Sequence, residues 1–411
     1  MDSADARLFV CYVPGLDRRL VDAETMPWLS RSLKRYPHVE IHTQPTTELF
    51  STLLTGTNPQ THEIWQVRLK DDIESTATDK MLDHLPDWLT TTWQCFRHML
   101  HRGYDLPAMP RWRRRQFQMH RLKYSRRYDS ADVVNEIGGT KTVIGILGDD
   151  AHYRMGRTFG ELGDLRDSLP DGRYALELLE FYAFDLVSHW NLHLPSVINK
   201  HLRLVDGFIE ALHDRCREKG VAMMVLVDHG QEAVRDSIDM KRIIDSVDVP
   251  RSDFCYYIEV AVTRFWFRTE EAKKAVLGAL ERVQHIKVMH RRELEQYDIC
   301  FEDDRFGEFY AIADSGYIFF PHDFHHPLAN LFMALREPTM RRRIFNPRQR
   351  GYHGHLPDHP AEKGFLMLLD EDHQATLDPM KLIDFAPTVL NFLEREKPGY
   401  MSGRPVFQRN E

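Results

Sequence analysis

The chain has 411 residues, of which 42% are hydrophobic and 28% charged, and its formal net charge is −8 at pH 7. That length suits one large α/β domain with insertions, or two domains, and the negative balance argues against a chain that coats nucleic acid over its whole surface. Five scattered cysteines with no Cys-x-x-Cys pair fit a reducing compartment better than a disulfide framework.

In chain order, the apolar run over 8–13 predicts a first buried strand, closed by Pro14-Gly15-Leu16-Asp17. Helical spacing follows over 27–36, and residues 46–54 predict a helix that ends at Gly56. Strands are predicted over 142–147, 178–182 and 221–227, with a long helix over 194–218 between the last two. Later strands are expected near 257–267, 310–319 and 364–369, and a last helix over 382–394. Strands alternating with helices predict an α/β fold, with a mostly parallel central sheet flanked by helices on both faces. Residues 70–140, rich in charge and tryptophan, and 240–345, with a different rhythm, read as insertions. The core would then comprise 1–69, 141–239 and 346–411, with a basic insertion over 70–140 and an inserted α+β cap region over 240–345. The N-terminal residues lack the basic-then-apolar order of a secretory signal, and no apolar run approaches the roughly 20 residues of a membrane helix. The expectation is a cytoplasmic protein with no membrane partner.

Two short motifs carry most of the chemistry. Asp185 and His189 follow the strand predicted at 178–182, and Asp228-His229-Gly230 follows the run over 221–227. Ligands of open α/β sheets gather at the carboxyl ends of such strands, and mixed Asp/His sets suit zinc and related divalent ions. Asp17 also lies just after an apolar run, and His353 stands in Gly351-Tyr352-His353-Gly354, where flanking glycines permit a tight turn. Thr46 sits where a helix is predicted to begin, so its hydroxyl either meets an anion held by free backbone N–H groups or simply caps the helix. The Asp-His dipeptide alone means little: it occurs four times, and only the pair at 228–229 follows a strongly apolar run.

The order of these motifs resembles the alkaline phosphatase superfamily, in particular the type I phosphodiesterase/nucleotide pyrophosphatase family. The resemblance runs through Pro14-Gly15-Leu16-Asp17, Met26-Pro27-Trp28-Leu29, Pro45-Thr46 to Pro59 and His62-Glu63-Ile64. It continues with the Asp185/His189 pair, Asp228-His229-Gly230, the His353 loop and the closing segment from Asp384 to Arg404. It implies an alkaline phosphatase-like fold and a two-ion phosphoryl-transfer centre, with zinc, or else manganese, as the divalent metal. Asp185, His189 and His353 would hold one ion; Asp17, Thr46, Asp228 and His229 would hold the other. Thr46 would take the phosphoryl group from a small phosphorylated or nucleotide-like substrate, and water would then release it. Such an enzyme is a phosphodiesterase or nucleotide pyrophosphatase.

Several positions depart from the family pattern. Arg18 follows Asp17 where the family has glycine, Leu49 stands in place of an asparagine, and Glu63 replaces a glycine. A one-residue slip would select Thr47 rather than Thr46 as nucleophile. Alternative readings are a phosphomonoesterase or phosphotransferase on the same scaffold, or a non-catalytic anion-binding protein. Residues 111–127 carry eight Arg or Lys residues and no acid, interleaved with Trp112, Phe117 and Tyr124. This stretch suits either a solvated face or a cap that reads an anionic substrate; nucleic acid is the weaker alternative.

Overall fold

The computed structural model describes residues 6–66, 134–323 and 343–410, with scattered residues between them. In chain order, the elements that shape the site begin with β1 (Leu8–Tyr12), α1 (Pro27–Arg35), β2 (His38–His42) and α2 (Leu49–Thr55). They continue with β3 (Ala151–Gly156), β4 (Leu176–Phe181), α3 (Ala183–Asn191), α4 (Pro195–Lys219) and β5 (Ala222–Val227). Next come β6 (Phe254–Ile258), β7 (Val262–Phe267), α5 (Glu270–Leu280), β8 (Ile286–His290) and β9 (Phe309–Ala313). The last are β10 (Gly364–Leu368), β11 (Met380–Lys381) and α6 (Phe385–Phe392).

The seven-stranded central sheet runs β11-β2-β10-β5-β1-β4-β3. Only β10 opposes its neighbours; the other pairings are parallel. Successive residues of β1 show why both faces are covered. Phe9 and Cys11 pack with Leu29 of α1 and Leu202 and Val205 of α4, whereas Leu8, Val10 and Tyr12 pack with Leu53 of α2 and Phe385 and Val389 of α6. Side chains alternate across a strand, so a strand apolar on every residue must be buried on both sides.

A second, four-stranded antiparallel sheet runs β6-β7-β9-β8. Helix α5 covers one face through Ala272, Val276 and Leu280, while the other presents Val262, Tyr310 and Ile312 to Trp65 and Tyr352. This sheet therefore rests on Trp65, whose carbonyl meets the Thr46 hydroxyl, and on Tyr352, the neighbour of His353. Arg68–Lys70 pairs antiparallel with Leu122–Tyr124; the rest of the basic stretch over 111–127 lies outside the described residues.

Local chemistry moves several predicted boundaries. The strand expected over 142–147 is instead the helix Val143–Leu147, because the Thr142 hydroxyl accepts from Gly145 N at 3.0 Å and caps it. A short apolar run does not distinguish a buried helix from a strand, and here the cap decides. The region near 257–267 is a hairpin folded at Glu259–Ala261, and that near 310–319 is broken by a turn at Gly316. Helix α2 starts at Leu49 rather than 46, which leaves Thr46 in the turn before it.

Helix α1 opens with Pro27, and Met26 before it has no side-chain acceptor. The cap comes from α4: Asp206 accepts from Trp28 N at 3.0 Å and Leu29 N at 2.8 Å. Two turns on, His213 packs its ring against Trp28 and Tyr36. Asp206→Ala strands two buried donors, and the expected loss is about 1–2 kcal/mol of unfolding free energy, read from urea denaturation. Burial pushes His213 below the ordinary imidazole value. The unfolded chain therefore takes up this proton first, and stability is lost as pH falls from about 6.5 towards the lower folded value. The denaturation midpoint should fall more steeply between pH 7 and 5 in the parent protein than in His213→Phe.

Candidate metal centre

The site forms at the carboxyl ends of β4 and β5. Helix α3 begins two residues after β4, placing Asp185 in its first turn and His189 one turn later on the same face. Strand β5 ends at Val227 and delivers Asp228 and His229. Gly351–Tyr352 pairs antiparallel with Glu232–Ala233, and this short ladder carries His353 to the same place.

Asp185, His189 and His353 converge, with one ligand atom from each lying within 4.8 Å of the others, and no other such group occurs among the described residues. His189 Nε2 stands 3.4 Å from Asp185 Oδ2, and His353 Nε2 stands 3.9 Å from Asp185 Oδ1. The neighbouring His229 stacks on His353 with ring centroids 3.5 Å apart, and its Nε2 lies 3.3 Å from Asp228 Oδ2. The tautomers follow from the partners. His189 Nδ1 donates to Gly351 O at 2.8 Å, and His229 Nδ1 donates to Gly230 O at 2.7 Å. In each ring Nδ1 holds the proton when the imidazole is neutral, which leaves the lone pair of Nε2 facing the carboxylates. This is the arrangement of metal-ligating histidines, whose second nitrogen is fixed by an outer hydrogen bond.

The electrostatics agree. Burial alone would raise the Asp185 carboxyl, but the charge of His189 and its hydrogen bond, followed by His353 and His229, hold it well below the usual range. Burial, then the charge of His229, pushes His353 far below the ordinary imidazole value and keeps the ring neutral. The anionic Asp185 carboxylate beside the neutral His353 ring gives two donors suited to a divalent ion.

Two of the residues expected at the other ion, Asp17 and Thr46, have partners of their own. The oxygens of Asp17 are held by Arg19, whose Nη2 donates at 2.6 Å, Nε at 3.0 Å and backbone N at 2.8 Å. The Thr46 hydroxyl donates to the Trp65 carbonyl and accepts from Glu48 N at 3.0 Å. The Thr46–Thr47 segment nevertheless packs on Gly354, where an added Cβ would lie 3.4 Å from Thr46 O and 3.0 Å from Thr47 Cγ2. Thr47 also faces a cavity of about 20 Å³ shared with Glu259 and Tyr352.

Three supporting residues escape sequence reasoning. Tyr12 donates its hydroxyl to Asp228 Oδ2 at 2.6 Å, and Gln231 donates to Asp185 Oδ1 at 2.6 Å. Glu362 accepts from Gly354 N at 2.8 Å and from His355 Nδ1 at 2.9 Å. The second ring nitrogen of His355 faces Tyr317 O at 3.0 Å. Both nitrogens meet acceptors, so the ring is an imidazolium; burial opposes that charge, but Glu362 prevails and raises its pKa. Gln231 alone has a sequence signal, since it follows Asp228-His229-Gly230 directly.

Comparison with known proteins agrees with this geometry. The sequence model of the type I phosphodiesterase / nucleotide pyrophosphatase family matches residues 10–332. The chain therefore belongs to that family, within the alkaline phosphatase superfamily, and is a hydrolase acting on phosphate ester bonds. Among solved structures it is similar to murine ectonucleotide pyrophosphatase / phosphodiesterase 5, at 15% identity over 95% of both chains with a TM-score of 0.60. The human counterpart matches at 12% identity over 97% of both chains, with a TM-score of 0.62. An inactive Thr-to-Ala form of the murine protein, in complex with AMP, matches at 14% identity over 95% of this chain and 96% of that one, with a TM-score of 0.60. At these identities the likeness shows the fold. No curated protein sequence matches the chain, and among the described residues no helix is long and apolar enough to cross a membrane.

The buried Glu362–His355 pair braces the loop that carries His353, and its removal has a defined cost. Glu362→Ala leaves the imidazolium without its counter-charge, and the expected destabilisation is about 3–5 kcal/mol, measured by chemical denaturation.

Proposed function

We propose that this protein is a divalent-metal-dependent phosphodiesterase or nucleotide pyrophosphatase acting on a small nucleotide-like substrate. The observation that supports the reading best is the convergence of Asp185, His189 and His353, with the His189 tautomer set by Gly351 O. These three residues would hold a divalent ion, zinc by the chemistry of an Asp/His₂ set, with manganese as the alternative. When bound, the ion supplies positive charge that polarises a phosphoryl oxygen and acidifies a hydroxyl beside it. Asp228 and His229 lie next to this group.

Thr46 is the proposed nucleophile. Its Oγ forms the bond to phosphorus as the leaving-group oxygen departs, and water then hydrolyses the threonine ester. Its hydroxyl is already ordered, since Glu48 N donates to it and Trp65 O receives its proton. The packing of Thr46–Thr47 on Gly354 keeps this segment one residue from His353. A nucleotide-like substrate is supported by the AMP complex of the murine fold relative.

Hydrolysis of bis-p-nitrophenyl phosphate and p-nitrophenyl phosphate, with zinc or manganese supplied, tests the proposal. The diester should turn over faster than the monoester, and Thr46→Ala should lower diester turnover at least 100-fold while Thr47→Ala retains most of it. Loss in Thr47→Ala with retention in Thr46→Ala would transfer the role to Thr47. Absence of diester turnover in the folded, metal-loaded parent would overturn the assignment.

A further inference from the structure

We propose that the centre retains one divalent ion, at Asp185, His189 and His353, and that the adjoining Asp228–His229 position lacks the protein ligands to retain a second. The inference rests on the reading of the first three residues as ligands and concerns how far the donor set extends beyond them.

The strand register identifies the missing ligand. Strands β1 and β5 run parallel with Tyr12 opposite Leu226, and Val13 N continues the ladder to Leu226 O at 2.9 Å. Counting on by two places Pro14 level with Asp228. A short carboxylate at that level of β1 would stand beside Asp228 across the gap between strands, and the proline found there offers no side-chain donor atom.

Asp17 does not replace it. It lies three residues further along, beyond the turn at Gly15, where φ is +73°. Its carboxylate caps the turn Arg18–Leu20 through Arg19 N and is held by the Arg19 guanidinium. The same guanidinium also binds Glu232 Oε2 at 3.0 Å and Gln231 O at 3.2 Å. The charge of Asp17 is thus already compensated by a cation tied to three groups. A metal ion would have to displace a pairing that leaves Arg19 beside it, and like charges at that range repel.

The rest of the position is similarly committed. Asp228 receives Tyr12 OH on Oδ2 at 2.6 Å and His229 N on Oδ1 at 2.9 Å. The Thr46 hydroxyl is directed to Trp65 O. One carboxylate and one imidazole remain, two protein ligands where zinc sites have three or four. At the first position, by contrast, three side chains meet and Gln231 braces the carboxylate.

The test is metal content rather than turnover. The full chain is loaded with excess zinc, desalted, and measured by plasma mass spectrometry against protein concentration. We expect about one equivalent in the parent, about one in His229→Ala, and near zero in Asp185→Asn, with circular dichroism confirming that each variant is folded. Pro14→Asp should raise retention towards two equivalents. Cobalt titration of the parent gives an independent readout, with d–d absorption saturating at one equivalent.

Two equivalents retained by the parent, or loss of its single equivalent in His229→Ala rather than Asp185→Asn, would overturn the inference. Zero equivalents in a folded parent would overturn it together with the metal reading of the site. Diester turnover measured on the same samples separates the two proposals, because one retained equivalent without turnover upholds the metal count while removing the hydrolytic assignment.

Discussion

The parallel pairing of β4, β1 and β5 is the constraint on which the site depends. Three strands buried on both faces can slip only by moving apolar side chains from one filled core to the other, so their register is fixed. With the register fixed, their carboxyl ends lie side by side, and the segments leaving them must share a small space. Asp185 arrives on the first turn of α3, Asp228 and His229 on the loop after β5, and Gly15 on the turn after β1. The crowding is measurable: a Cβ on Gly15 would lie 2.6 Å from Asp185 Oδ1, and one on Gly230 would lie 2.8 Å from Asp17 Oδ2. Those two positions demand glycine because the backbone itself forms the wall of the site.

Close packing of loops also supplies carbonyl groups, and these set the chemistry of the histidines. Gly230 O and Gly351 O each accept an Nδ1 proton, so both rings present Nε2 to the carboxylates before any ion binds. Such preorganisation spares the ion the cost of ordering its ligands. Burying Asp185 would be costly if it stood alone; His189 and Gln231, both hydrogen-bonded to it, compensate it. The Glu362–His355 pair solves a related problem one step away. It holds a charge pair in a dry interior to anchor Gly354, and thereby the turn on which His353 stands.

How much of this is legible in sequence depends on the range of the interaction. The apolar runs that became β1, β4 and β5 announce themselves, as does the Asp-His-Gly segment after the last, because burial on both faces leaves a local signature. The Val143–Leu147 helix does not, since an apolar run of that length fits either element and a single Thr142 cap decides it. Contacts between distant segments leave no local trace. Tyr12 reaches Asp228 at the end of the neighbouring strand, and Asp206 caps a helix whose first residue lies far away in the chain. Asp17 is instructive in the opposite sense. Its place after an apolar run suggests a strand-end ligand, but the three-residue turn and Arg19 carry its carboxylate into a different pairing, and only the register with β5 shows that Pro14 occupies the level concerned.

The second sheet bears on the proposed nucleophile through Trp65. Buried among Phe301, Phe306 and Tyr310, this residue is fixed by the face of that sheet, and its carbonyl in turn fixes the Thr46 hydroxyl. A hydroxyl that donates to a carbonyl and accepts one backbone N–H keeps one lone pair, the one that would attack phosphorus in the role proposed for Thr46. It is not activated, because a peptide carbonyl is too weak a base to remove the proton. In the proposed mechanism, order and activation would come from different sources: the second sheet, through Trp65, holds the oxygen still, and acidification would come from the centre beside Gly354. A perturbation of the second sheet would therefore reach the hydroxyl through Trp65 and the Asp/His cluster through Tyr352, whose ring packs on His189 and His353.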